Sequence, residues 1–194
     1  MSAGRIETLR AAGHPIGEVL VGRAELAARI RVLGRLLASE YEGREPLLIA
    51  PLRSSLVFLA DLSRALSLDH GLDTIGVSSY DGGPGGGAQL TKDVSTRVTG
   101  RDVIVVEGVV DTGLTLAFVL RALREREPAS LAAVALLDRP YRRLVDDLPL
   151  AHVGFTLPDE LVAGYGLGLD EKWRTLPDIH RVMSEALPAA LAAA

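Results

Sequence analysis

Apolar residues recur every three or four positions between residues 25 and 41, at Leu26, Ile30, Leu33 and Leu37 with arginines between them. That spacing predicts an amphipathic helix that ends near Gly43. A short unbroken apolar run follows at 47–52, Leu-Leu-Ile-Ala-Pro-Leu, and beyond it Leu56, Leu59, Leu62 and Leu66 fall on one helical stripe. The unit reads as strand, tight loop and helix. Two β-branched runs, 74–79 and 103–106, and a further apolar run at 131–137 have the length of strands buried on both faces of a sheet. Helical spacing returns from Leu114 to Arg126. Strands alternating with helices predict an α/β fold, an open, mostly parallel, twisted sheet flanked by helices with right-handed crossovers.

Composition narrows what these elements can do. At 194 residues, 48% hydrophobic and 24% charged, with a mean hydropathy of +0.24, the chain is expected to form a single domain over 1–194 around one substantial core. The absence of cysteine excludes a disulfide framework, a thiolate metal site and a cysteine nucleophile, and a reducing cytoplasm is the expected setting. A net charge of −4 with a pI near 5.6 provides no broad positive surface, so nucleic acid is not an expected partner. Arg5, Glu7 and Arg10 break the N-terminal apolar positions, unlike a secretion signal. No apolar run approaches the roughly 20 residues that span a bilayer, and no membrane partner is expected. His14, His70, His152 and His180 lack metal-ligand spacing and read as solvated or core-edge residues. Arg121, Arg124 and Arg126 read as a solvated helix face, Trp173 and Phe155 as core or pocket wall, and the alanine-rich end at 186–194 carries no chemistry.

The stretch that carries chemistry is Val103-Ile104-Val105-Val106-Glu107-Gly108-Val109-Val110-Asp111-Thr112-Gly113-Leu114-Thr115. An apolar strand here runs into one acidic residue, then a second, then a Thr-Gly-x-Thr turn and a helix. Ligands of open parallel sheets bind beyond the carboxyl ends of the strands. Consecutive N–H groups from Thr112 to Thr115, two hydroxyls and a helix N-terminus suit a phosphate dianion, and glycine at 113 lets backbone approach it. Asp111 has a competing use as a helix N-cap. A second feature is the run Asp-Gly-Gly-Pro-Gly-Gly-Gly at 81–87, too poor in side chains to pack, which reads either as a slack linker or as a lid over a site.

These residues resemble the phosphoribosyltransferases, whose donor-binding motif is an apolar strand, an acidic pair, two apolar residues and Asp-Thr-Gly-x-Thr. Within them the chain is most similar to the hypoxanthine-guanine phosphoribosyltransferases. The resemblance runs from about Ile16 to Leu176. It includes Glu18-Val19-Leu20, Tyr41-Glu42-Gly43, Phe58-Leu59-Ala60-Asp61-Leu62, Ser78-Ser79-Tyr80, Gly100-Arg101-Asp102-Val103 and Leu136-Leu137-Asp138. Further landmarks are Val153-Gly154-Phe155, Pro158-Asp159, Gly164-Tyr165 and Arg174.

The resemblance implies the type I phosphoribosyltransferase fold, with a core of about 23–150, a small hood from about 10–22 and 151–182, and a tail at 186–194. It also implies transfer of the 5-phosphoribosyl group from phosphoribosyl pyrophosphate to hypoxanthine or guanine, through an oxocarbenium-like transition state. Asp111 would be the general base and Glu107 would sit by the ribose hydroxyls. Asp111, Thr112, Gly113, Leu114 and Thr115 would hold the 5′-phosphate; Arg53, Ser54 and Arg174 would face pyrophosphate. Arg139, Leu161 and Val162 would meet the purine, and a lid would close from Ser79 and Tyr80. Mg2+ is the implied cofactor, reached by Glu107 indirectly, and a homodimer or homotetramer is the implied assembly. Six positions depart from the family's pattern: Gly108 replaces the second acid, Arg53 and Ser54 a lysine and a glycine, Arg139 a lysine, Leu161 an aromatic and Gly168 an aspartate. The alternatives to a purine salvage enzyme are a non-catalytic or regulatory protein that binds phosphoribosyl pyrophosphate or a nucleotide, and a transferase for another base.

Overall fold

Alternate side chains of an extended strand point to opposite faces of a sheet, so one unbroken apolar run can serve two cores. The computed structural model of the protein describes residues 2–78, 88–169 and 171–183. Its elements are α1 (Ser2–Ala11), β1 (Ile16–Val21), α2 (Arg23–Glu40), β2 (Leu47–Leu52), α3 (Leu56–Ala65), β3 (Gly71–Val77), β4 (Leu90–Lys92), β5 (Asp102–Val110), α4 (Leu114–Arg124), β6 (Ser130–Asp138), β7 (Leu150–Thr156), β8 (Val162–Ala163) and β9 (Ile179–Val182). Six strands form one open sheet in the order β4-β3-β2-β5-β6-β7, parallel except for β4. Leu48, Ala50, Ile104, Val106, Val134 and Leu136 pack with α2 and α3, while Leu47, Ile49, Val103, Val105, Ala133 and Ala135 pack with α4. The α/β architecture expected from the sequence is therefore the observed one.

The α2 stripe is buried as its spacing predicts, at Leu26, Ile30, Leu33 and Leu37. The α3 stripe is corrected: Leu56 is 52% exposed and Phe58 is fully buried in its place. Leu56 opens the helix at the loop after β2, so its side chain projects from the rim while Phe58, Leu59 and Leu62 meet the sheet. Arg126 is not part of a solvated face, because it holds Asp93 through Nη2 at 2.6 and 2.8 Å. His180, taken for a core-edge or solvated residue, is 1% exposed inside the smaller sheet.

That smaller sheet, in the order β1-β9-β8, forms the hood. Its apolar seam includes Ile6 of α1 as well as Ile16, Ala163, Leu176 and Val182, so the hood begins with α1 rather than near residue 10. The other boundary also moves. Residues 151–156 belong to β7 and pair with β6 in parallel, Ala135 with Val153 and Leu137 with Phe155, which places them in the main sheet. As an edge strand, β7 has no run of buried residues to announce it. Asp178, just before β9, accepts hydrogen bonds from Arg23 N at 2.8 Å, Nε at 3.0 Å and Nη2 at 2.7 Å. Those bonds hold its carboxyl below the usual range and fasten the hood to the start of α2. The proposed lid residues Ser79 and Tyr80, the glycine run at 81–87 and the tail at 186–194 lie outside the described residues. No described helix is long and apolar enough to cross a membrane.

Candidate active site

β5 does not stop at the apolar run; it continues through Glu107 to Val110. Glu107 is thus a strand residue in register with Ala135, and it is 4% exposed. Its Oε1 accepts from Ser55 Oγ at 2.8 Å and from Gly108 N at 3.1 Å, and Gly108 N also donates to Ser55 Oγ at 2.9 Å. Burial pushes the Glu107 carboxyl up from 4.5 to about 7, against the pull of these donors. A carboxyl with a raised folded pKa binds its proton more tightly folded than unfolded, so between pH 4.5 and about 7 stability falls as pH rises. The Glu107→Gln variant is expected to be more stable than the wild type above pH 7, by up to about 3 kcal/mol. The gain should shrink below pH 7 and vanish near pH 4.5, and thermal melts across that range measure it.

The loop between β2 and α3 lies directly against this strand, and it contains a cis peptide between Leu52 and Arg53. A Cβ on Gly108 would sit 2.9 Å from the carbonyl oxygen of Ser54, and one on Gly166 would sit 2.6 Å from the same atom. The Ser54 carbonyl is therefore seated between two bare backbones. This close approach explains the glycine at 108, where the family pattern has an acid.

After β5 the chain turns at Gly113, whose φ of +85° lies in the left-handed region that glycine adopts without strain. Gly113, which has no side chain, is the N-cap of α4, so the N-cap reading of Asp111 does not hold. The Leu114 N–H donates to Thr112 Oγ1 at 3.4 Å. Asp111 instead faces a basic cluster: its Oδ2 accepts from Arg139 Nη1 at 3.1 Å and lies 3.6 Å from Arg142 Nη1. Its Oδ1 is buried without a hydrogen-bond partner among the described residues. A cavity of 250 Å³ opens here, lined by Glu107, Asp111, Thr112, Gly113 and Thr115.

A second cavity of 350 Å³ is lined by Arg53, Arg139, Leu161, Val162, Gly168 and Arg174, among others. Ser54, Val109 and Asp111 line both cavities, so the two open onto each other at the end of β5. Arg139 is 4% exposed and bridges Asp111 and, at 2.9 Å through Nη2, Asp159. Arg53 Nη2 lies 2.7 Å from Glu171 Oε1, and Arg174 Nη2 lies 3.2 Å from the same oxygen. Both arginines expected to face pyrophosphate thus already converge on one carboxylate. All the site residues expected from the sequence come together here except Ser79 and Tyr80, which are not described. Sequence reasoning assigned no site role to Ser55, Arg142, Asp159 or Glu171. Each stands within three residues of an expected site residue, namely Ser54, Arg139, Leu161 and Arg174, but its partner across the site is set by the fold.

A metal would find one buried carboxylate, Glu107, in the smaller cavity. Among the described residues no group of three or more His, Cys, Asp or Glu is placed to hold a metal ion. That donor set suits a hard cation that arrives on phosphate oxygens and keeps most of its own waters.

Comparison with known proteins identifies the family. The family model described as a phosphoribosyl transferase domain matches residues 16–168. The chain is 41% identical over 170 residues to the hypoxanthine phosphoribosyltransferase of Salmonella typhimurium, covering 86% of this chain and 95% of that one. The fold is similar to the crystal structure of a hypoxanthine-guanine phosphoribosyltransferase from Bacillus anthracis, with a TM-score of 0.80 and 39% identity over 87% of this chain and 98% of the other. It is similar also to the hypoxanthine phosphoribosyltransferase of Trypanosoma cruzi in complex with the product IMP, with a TM-score of 0.83 and 32% identity over 89% of this chain and 97% of the other.

Proposed function

Because the chain belongs to the phosphoribosyl transferase domain family, we propose that it is a purine salvage enzyme. It transfers the 5-phosphoribosyl group of phosphoribosyl pyrophosphate to hypoxanthine or guanine, giving the nucleoside monophosphate and pyrophosphate. The observation that carries this reading is the meeting of the two cavities at Asp111, one lined by a phosphate-type turn and the other by a basic, partly apolar wall. A sugar held in the first and a base held in the second would react at their junction.

The 5′-phosphate lies in the turn from Asp111 to Thr115, where backbone donors and the α4 N-terminus favour a dianion. Glu107 accepts from the ribose hydroxyls. Arg139 donates to the 6-oxo group while Leu161 and Val162 cover the ring. Arg53, Arg174 and the backbone of Ser54 take the pyrophosphate, whose oxygens replace the Glu171 carboxylate on both guanidinium groups. A ring nitrogen of the purine forms its bond to C1 of the ribose as the bond from C1 to the pyrophosphate oxygen breaks, and Asp111 receives the nitrogen's proton. Glu107 would hold a Mg2+ ion through the ion's own waters, and the ion would supply charge neutralisation for pyrophosphate.

Similarity over nearly the whole length of an established hypoxanthine phosphoribosyltransferase favours this reading over a non-catalytic nucleotide-binding protein. Incubation with phosphoribosyl pyrophosphate, Mg2+ and either base is expected to give nucleotide and pyrophosphate in equal amounts. Donor binding without turnover on any base would instead support the binding protein.

A further inference from the structure

Serine at the N-cap of a helix ordinarily turns its hydroxyl to the helix's own N–H groups. Ser55 stands at the N-cap of α3 and makes no such bond. Its hydroxyl points across to β5, where it donates to Glu107 Oε1 and accepts from Gly108 N. A hydroxyl is well suited to that place because it gives one proton and accepts another at the same atom. Both donors to Glu107, the Ser55 hydroxyl and the Gly108 N–H, converge on Oε1, which fixes the plane of the carboxylate and leaves Oε2 outside the pair. Ser55 is fully buried and lines neither cavity, so it cannot itself touch a substrate in either.

We propose that Ser55 is a positioning residue for the ribose site, its hydroxyl holding the Glu107 carboxylate in the orientation that accepts the ribose hydroxyls of the donor. The loop that carries Arg53 and Ser54 leads directly into Ser55, so the same bond makes that loop and the ribose-side carboxylate one unit. The inference rests on the reading of Glu107 given above. It goes beyond that reading in naming the group that makes Glu107 competent.

The test compares wild type, Ser55→Ala, Glu107→Gln and the double variant. Ser55→Ala is nearly isosteric and leaves the Gly108 N–H on Glu107, so the fold should be retained. If its melt is not cooperative, Ser55→Cys, with similar shape and a weaker donor, takes its place. Ser55→Ala is expected to raise the KM and the calorimetric Kd for phosphoribosyl pyrophosphate about tenfold, the scale of one hydrogen bond to a charged group. The KM for hypoxanthine and the inhibition by inorganic pyrophosphate should change little. In the Glu107→Gln background the serine change should add less than about twofold, because its effect runs through the carboxylate. Full additivity, an unchanged donor affinity, or an equal loss of pyrophosphate inhibition would overturn the proposal; the last would assign Ser55 to the loop alone. Donor affinity is read without turnover. A wild-type protein that binds the donor and makes no nucleotide would therefore refute the salvage reading while leaving the Ser55 comparison decisive.

Discussion

Replacing Asp111 with asparagine is expected to lower kcat by about 10²- to 10⁴-fold, the usual loss when a positioned general base is removed. The amide keeps the size of the carboxyl and can still accept from Arg139, so the basic cluster of Arg139 and Arg142 stays in place. What it loses is the ability to take a proton at the junction of the two cavities. The backbone of the turn from Asp111 to Thr115 is untouched, and affinity for phosphoribosyl pyrophosphate should remain within about threefold of wild type. Steady-state rates with hypoxanthine, set beside calorimetric binding of the donor, separate these two effects. Unchanged kcat would remove Asp111 from the role of base. A large loss of donor affinity with kcat preserved would make it a binding group.

The second large effect concerns Gly108, where the family's pattern has an acid and the simple expectation is that introducing one improves the enzyme. The opposite is expected. A Cβ at 108 would stand 2.9 Å from the Ser54 carbonyl oxygen, so the loop bearing Arg53 would have to move off β5. The new carboxylate would also be held beside the Ser54 carbonyl oxygen and the Leu167 side chain, neither of which can donate to it. Gly108→Asp should lose about 2–4 kcal/mol of stability through overpacking and an uncompensated buried charge. For a chain of this size that is a fall in Tm of roughly 5–10 °C, with catalytic efficiency reduced rather than raised. Gly108→Ala separates the causes, since it carries the steric conflict without the charge. A Gly108→Asp protein as stable as wild type, with a lower donor KM, would show that the loop adapts to the side chain.

The extent to which the protein could be read in advance varied with the range of the interactions. The α2 stripe and the runs that became β2, β5 and β6 were legible because burial on a helix or sheet imposes a period within a few residues. The turn at 111–115 was legible for the same reason: phosphate recognition by backbone N–H groups needs its residues consecutive. β7 was assigned to the hood because a partly buried edge strand leaves no apolar run, and its place is set by pairing with β6. Leu56 shares the stripe without being buried because periodicity says only which residues share a face, and the first residue of α3 stands at the loop, beyond the edge of the core.

The candidate site divides along the same line. Asp111, Glu107, Arg53 and Arg174 were identifiable as residue types suited to a proton, a sugar and a pyrophosphate. The partners of Asp111, Glu107 and Arg53 were not, because Arg139, Ser55 and Glu171 reach them across long stretches of chain. The glycine at 108 is the plainest case. In the sequence it marks a missing carboxylate; in the folded protein it is the space that the Ser54 carbonyl occupies. The amino-acid sequence by itself determined the α/β class, the helix stripes and the phosphate turn, since each depends on spacing between neighbours. Tertiary structure alone decided which carboxylate is buried, which arginine holds which acid and how closely the loop lies on β5, since desolvation and steric contact depend on distances between segments that sequence order does not contain.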